Sequence, residues 1–254
     1  MIDIHDVLRT KILRFLFRLS GVKVVVIHKN RGERKRLIRR KNKLFKQLSF
    51  VQDKYADTFK KGGFIVKNTP YHIYTKNDEL PDDLLKITGE KDKKWIGIAP
   101  FAKHQPKIYP LDKMEKIVGY FSTRNDVKIF LFGGGKYETE ILNNWEKYPN
   151  IQSLAGKTSL EGELQIMAHL DAMLSMDSAN MHLANLTDVP VVSVWCATHP
   201  FAGFVSCGNP KNTIIQRDLS CRPCSIYGNK VCYKNTYECM DIAIEEIINR
   251  LLLT

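Results

Sequence analysis

Apolar positions along the chain fall into two successive rhythms. Over residues 5–19 they recur at Leu8, Ile12, Phe15, Leu16 and Leu19, the three-and-four spacing of one helix face, and Gly21 predicts a stop before a strand-like run at 22–27. A second helix is predicted over 33–48, where Leu37, Ile38, Leu44, Phe45 and Leu48 make a broken apolar face within dense positive charge; a third is predicted over 50–60. Periodicity lapses between Gly62 and Lys94, where Pro70, Pro81, an N-D-E turn and a K-D-K-K run predict a linker at 68–94, with alternation across 71–74 also fitting a short strand. From Trp95 the rhythm changes. Short apolar runs at 95–99, 127–132, 151–154, 172–175 and 191–195 alternate with helical patterns at 110–122, 136–148, 159–169 and 178–186, and a last helix is predicted over 238–251. Strands separated by helices of this length predict an α/β fold with a parallel sheet covered on both faces, a doubly wound architecture whose ligands collect at the carboxyl ends of the strands.

Composition narrows this picture. With 254 residues, 44% of them hydrophobic, the chain can bury a sizeable core and is no disordered tail. No window reaches 18 uninterrupted apolar residues, and Arg9, Lys11, Arg14 and Arg18 punctuate the first helix, so neither a spanning helix nor an export signal is predicted and the expected location is cytoplasmic. The formal charge of +12 is lopsided: residues 1–89 hold 21 Lys and Arg against 9 Asp and Glu, whereas 90–254 hold 18 of each. A basic amino-terminal part can steer nucleic acid, an anionic membrane surface or a phosphorylated substrate. The segment 29–46, ten Lys or Arg against Glu33 alone, could lie over phosphates; without an interleaved aromatic stacking pattern, RNA binding is the weaker reading.

Candidate chemistry gathers at strand ends. Asp177 and Ser178 follow the run A-M-L-S and open the next helix, where they can cap free N–H groups or, with small Ala179, let an anion approach them. His182 lies on the same side, and Thr198 and His199 leave the following strand toward the same crevice. The loop A-P-F-A-K-H-Q-P-K-I-Y-P brings Lys103, His104 and Lys107 to that edge, as anion ligands or as a solvated basic loop. Gly133, Gly134 and Gly135 fit neither a dinucleotide fingerprint nor a P-loop, and Glu138 could meet a ribose or serve its own helix. Cysteines stand at 196, 207, 221, 224, 232 and 239. Four of them, Cys221, Cys224, Cys232 and Cys239, could supply a structural zinc site, though their wide spacing favours reduced structural thiols.

The motifs S-M-D-S-A-N-M-H-L-A-N-L-T-D-V-P, V-S-V-W-C-A-T-H-P and P-K-I-Y-P, together with I-D-I-H-D-V-L-R-T-K, R-R-K-N-K and the C-R-P-C to C-M-D-I run, resemble the lipopolysaccharide heptosyltransferases, the ADP-heptose-dependent glycosyltransferases of family 9. The resemblance implies a GT-B-like architecture: a partial amino-terminal acceptor-side domain at 1–67, the linker at 68–94, and a complete Rossmann-like nucleotide-sugar domain at 95–254. It implies transfer of a heptose or related sugar, with inversion, from an ADP-sugar to a phosphorylated lipopolysaccharide or glycolipid core acceptor. No further cofactor or metal is expected, and the expected place is the cytoplasm, peripheral at the inner face of the inner membrane. By the same resemblance Lys107 is a diphosphate ligand, Ser178 and Ala179 the helix-terminal phosphate contact, and Asp177 faces the donor sugar with His182 supporting its loop. Thr198 and His199 lie beside the cleft; Lys103 and Glu138 are candidates for phosphate and ribose.

Two departures qualify the resemblance. Ala179 stands where the family has Gly, which narrows the approach. The glycine-rich loop and acceptor-activating Asp that precede I-D-I-H-D in the family have no counterpart here, and neither Asp3 nor Asp6 matches them. The chain is therefore read as an amino-terminally truncated enzyme that binds donor and turns over poorly. A nonenzymatic module for nucleotide-sugars or anionic glycans is the alternative, and an RNA-binding protein the third reading.

Overall fold

A computed structural model of the chain describes residues 1–66, 72–205 and 209–254. The chain divides into two compact units, residues 1–70 with 200–205, and residues 71–199 with 206–254.

The first unit pairs β1 (Ile2–Asp3) parallel to β2 (Val25–Val26) and adds helices α1 (Leu8–Leu19), α2 (Arg31–Leu37) and α3 (Val51–Lys61). The helix expected at 33–48 is thus much shorter. Arg39, Arg40, Lys41 and Lys43 crowd like charge where it would continue, Asn42 adopts a left-handed φ of 50°, and the Leu44 N–H folds back onto the Arg36 carbonyl. Leu37 and Leu48 are buried all the same, so the apolar positions are used by a turn instead of a helix face. In α1 the predicted apolar stripe forms, but none of its twelve residues is buried.

The second unit is the doubly wound one. Its strands β3 (Lys94–Ala99), β4 (Val127–Leu131), β5 (Ile151–Ser153), β6 (Ala172–Met176), β7 (Val191–Trp195) and β8 (Thr213–Gln216) form one parallel sheet in the order β5-β4-β3-β6-β7-β8. Helices α5 (Leu111–Ser122), α6 (Gly135–Trp145), α7 (Leu160–Ala168), α8 (Ala179–Ala184) and α9 (Ile244–Leu253) belong to the same unit. Burial on both faces explains why the strands read as continuous apolar runs. Ile96, Ile98, Ile129, Leu131, Leu174, Val192 and Val194 share a core with Met114, Ile117 and Phe121 of α5 and with Ile247 and Leu251 of α9. Trp95 and Phe130 pack edge to face at 4.8 Å.

Three elements differ from expectation. Residues 82–88, inside the expected linker, form helix α4 (Asp82–Thr88), which buries Leu84; Lys128 and Gln152 hold its last carbonyls by hydrogen bonds. The edge strand β8 has only two apolar residues, too few to announce it. The last helix is broken: a 3-10 turn at Glu238–Met240 precedes α9, and between them the Ile242 carbonyl accepts from the buried Tyr109 hydroxyl at 2.7 Å. Tyr71 and Cys207 lie outside the described residues, and 72–74 form no strand. Among the described residues no helix is long and apolar enough to cross a membrane.

Candidate functional site

The strand order places a topological switch between β3 and β6. From β3 the chain winds outward through β4 and β5, then returns to β3's other side at β6, so the loops leaving β3 and β6 part in opposite directions, the arrangement that in such sheets makes a ligand crevice at the strands' carboxyl ends. The loop after β3 carries Lys107 and the loop after β6 carries Asp177. The two side chains meet there, with Lys107 Nζ 3.0 Å from Asp177 Oδ2. From the end of β7 the Thr198 hydroxyl donates to the same oxygen at 2.7 Å. Three strands therefore deliver a cation, a carboxylate and a hydroxyl to one point, and Asp177 and Thr198 are buried.

Backbone contacts hold these loops together. The Ala197 N–H donates to the Pro106 carbonyl, the Tyr109 N–H to Met176 Sδ, and the Cys224 N–H to the Ala197 carbonyl. Arg222 does the most. Fully buried, its guanidinium donates to the carbonyls of Trp195, Cys196, Thr198 and Arg217 and to Gln216 Oε1, so it clamps the chain leaving β7 to that leaving β8. Gly228, with φ at 72°, lies against the Lys107 stem: a Cβ built there would come within 2.6 Å of Lys107 Cδ and 3.3 Å of Thr198 Cγ2. Neither Arg222 nor Gly228 is singled out by sequence reasoning. The only signal is an Arg between two cysteines and a lone Gly in a loop.

The remaining expected residues divide. Ser178 takes the N-cap position of α8 without capping it; its hydroxyl shares a 3.2 Å hydrogen bond with Ser175, so the capping role open to Asp177 and Ser178 is filled by neither side chain. Ala179 is the first residue of the six-residue α8. His182 keeps an exposed edge, yet the protein around its ring disfavours the imidazolium; Asp177 opposes that shift and Lys107 adds to it, so the three are electrostatically coupled. His199 is buried. Lys103 stands exposed, with no hydrogen bond or ion pair among the described residues. Glu138 is engaged by its own helix, accepting from the Gly134 N–H at 2.9 Å.

Among the described residues no set of three or more His, Cys, Asp or Glu side chains is arranged to hold a metal ion, Cys221, Cys224, Cys232 and Cys239 included. Burial pushes the Cys196 thiol up to about 12 and that of Cys239 to about 11, the behaviour of inert core thiols.

The profile of glycosyltransferase family 9 (heptosyltransferase) matches residues 18–234. Lipooligosaccharide heptosyltransferase 2 of Campylobacter jejuni serotype O:2 is 26% identical over 251 residues, 94% of this chain and 73% of that protein. A glycosyl transferase family 9 structure from Veillonella parvula superposes with a TM-score of 0.69 at 18% identity, covering 100% of this chain and 73% of its own. The E. coli heptosyltransferase WaaC, solved with ADP, gives a TM-score of 0.51 at 20% identity over 66% of this chain; the chain thus spans 50% of that structure. The structural likenesses bear out a GT-B-like α/β fold with a Rossmann-like carboxyl-terminal domain. With the family profile covering most of the sequence, the chain belongs to glycosyltransferase family 9, the heptosyltransferases.

Proposed function

We propose that the switch-point crevice binds an ADP-sugar and that the chain transfers a heptose or related sugar from it, with inversion, to a phosphorylated lipopolysaccharide core acceptor. The observation that carries this reading is the Lys107–Asp177–Thr198 cluster at that crevice in a chain of this family. ADP, the ligand of the E. coli heptosyltransferase, is the donor remnant such a crevice would take here. In the reaction an acceptor hydroxyl attacks the anomeric carbon and gives up its proton to a base or to water, the bond from that carbon to the distal phosphate oxygen breaks, and ADP departs with the electron pair. Negative charge grows on the diphosphate. Lys107 supplies a point charge for it, and Asp177 with the Gly228 contact holds that ammonium in place beforehand, which lowers reorganisation during transfer. Backbone N–H groups of Ser178 and Ala179 and a neutral His182 ring line the same crevice as further donors. Lys103 adds a mobile positive charge, and Glu138 keeps one carboxylate oxygen for a ribose. The acceptor-activating base is assigned to none of these residues; the reading proposed for the chain alone is donor binding with slow transfer. This reading locates the chain in the cytoplasm, peripheral at the inner face of the inner membrane, where soluble donor and lipid-borne acceptor meet.

Titration calorimetry with ADP tests the site. Binding is expected, and Lys107→Ala is expected to weaken it at least tenfold, about 1.4 kcal/mol; unchanged affinity would remove Lys107 from the donor site. Release of ADP from ADP-heptose with a core acceptor present tests transfer. Binding without any release would favour the nonenzymatic nucleotide-sugar module.

A further inference from the structure

The most exposed aromatic side chain among the described residues stands in the first turn of α6, where Tyr137 is 67% exposed. Its ring meets that of Phe101 edge to face, with centroids 6.5 Å apart, and Phe101 lies on the loop after β3 that also carries Lys107. A single exposed aromatic needs no explanation in itself. The surroundings of this one are unusual. A Cβ built on Gly133 would come within 2.9 Å of Leu142 Cδ1, 3.1 Å of Glu138 Oε2 and 3.3 Å of Phe101 Cδ2, so packing requires that glycine, while a φ of 78° favours the one at Gly135. Neither reason applies to Gly134. Its backbone is extended, with φ at −157°, and a Cβ there would meet nothing within 4 Å. It is the N-cap of α6, a position that Ser, Asp or Asn would fill better. Bare backbone beside open space, next to an open aromatic ring, gives a flat group room to lie against both.

Position in the sheet decides which flat group. Strands β6, β3 and β4 are neighbours in that order, so the carboxyl end of β4 lies about 10 Å from that of β6. A nucleotide whose diphosphate meets Lys107 and the start of α8 extends across β3, bringing its ribose to Glu138 and its base to Tyr137. The donor's sugar is not the occupant, because it hangs from the opposite end of the diphosphate. Resting on the donor-site reading above, we propose that Tyr137 is the platform on which the donor's purine base stacks, with Gly134 leaving room for the base beside it. Stacking grows with ring area and reads no base edge, so this contact favours a purine over a pyrimidine without hydrogen-bond selection.

Titration calorimetry on the full chain tests this with three probes: ADP, UDP and inorganic pyrophosphate, the last by displacement of ADP. Tyr137→Ala is expected to weaken ADP at least about fivefold, to weaken UDP less, and to leave pyrophosphate within about twofold, with the melting temperature unchanged because the ring is exposed. Tyr137→Phe keeps the ring and is expected to bind all three within about twofold of the parent chain. Gly134→Leu, which the backbone angle permits, fills the open space and is expected to weaken ADP as Tyr137→Ala does. ADP affinity unchanged by Tyr137→Ala, a Phe variant that loses as much as the Ala variant, or an equal loss for pyrophosphate would overturn the proposal. Lys107→Ala separates this failure from that of the donor site. If it weakens ADP and pyrophosphate alike while Tyr137→Ala leaves ADP unchanged, the platform falls and the donor site stands; if the parent chain binds no ADP, both fall.

Discussion

The ion pair between Lys107 and Asp177 makes a quantitative demand on stability. At 3.0 Å the attraction is about 5.5 kcal/mol for an effective dielectric of about 20. The side chains are only 15% and 6% exposed, so desolvation offsets much of this, and the coupling left over should be roughly 1–3 kcal/mol. Lys107→Met leaves a buried carboxylate with the Thr198 hydroxyl and should cost roughly 3 kcal/mol. Asp177→Asn leaves the more exposed ammonium, while its amide oxygen still accepts from Thr198, and should cost roughly 1–2 kcal/mol. The double variant should be less damaged than the sum of the two. Urea unfolding followed by tryptophan fluorescence suits the measurement, because Trp95, Trp145 and Trp195 are all buried in the second unit and report on it alone. A coupling below about 0.5 kcal/mol would refute the reasoning, since it would mean the two charges do not stabilise each other in the folded protein.

Two further outcomes are expected. Gly228→Ala forces an L side chain into a left-handed φ, costing about 1–2 kcal/mol, and pushes on the Lys107 stem; ADP affinity by calorimetry should fall several-fold, whereas unchanged affinity and stability would deny Gly228 a positioning role. Burial pushes the Glu163 carboxyl from 4.5 up to about 7, so the folded state holds its proton more tightly than the unfolded chain. Its contribution is complete below pH about 4.5 and is lost as pH rises through about 7. Partial exposure reduces it to roughly 1–2 kcal/mol. Glu163→Gln should flatten the difference in urea midpoint between pH 5 and pH 8 relative to the parent chain, and an identical pH dependence would contradict this.

The strands of the second unit were legible because burial on both faces removes polar residues from them, and once they were placed, Asp177 and Thr198 fell at strand ends by counting. Lys107 was legible as a basic residue on the right loop. That it spends its charge on Asp177 was not, because nothing in a linear pattern pairs residues brought together by a crossover. Arg222 and Gly228 were invisible for a related reason: one acts through carbonyls, which every residue has, and the other through the absence of a side chain. Helix α1 shows the converse limit, since its periodicity reveals a stripe while only the fold reveals which way it faces. The overlong prediction at 33–48 came from counting apolar positions without weighing the run of like charge between them.

The clamp formed by Arg222 also bears on how the protein is made. Chain emerges from the ribosome amino terminus first, so the loop bearing Lys107 is exposed long before residues 222 and 228 are synthesised. Until then the three carbonyls leaving β7 and the two acceptors leaving β8 lack their common partner, and the Lys107 stem lacks the surface that confines it. The sheet can assemble early from its local β-α-β contacts, whereas the crevice closes through contacts of long sequence separation and so waits for nearly the last of the chain. A nascent chain would thus pair its central strands before it holds its site.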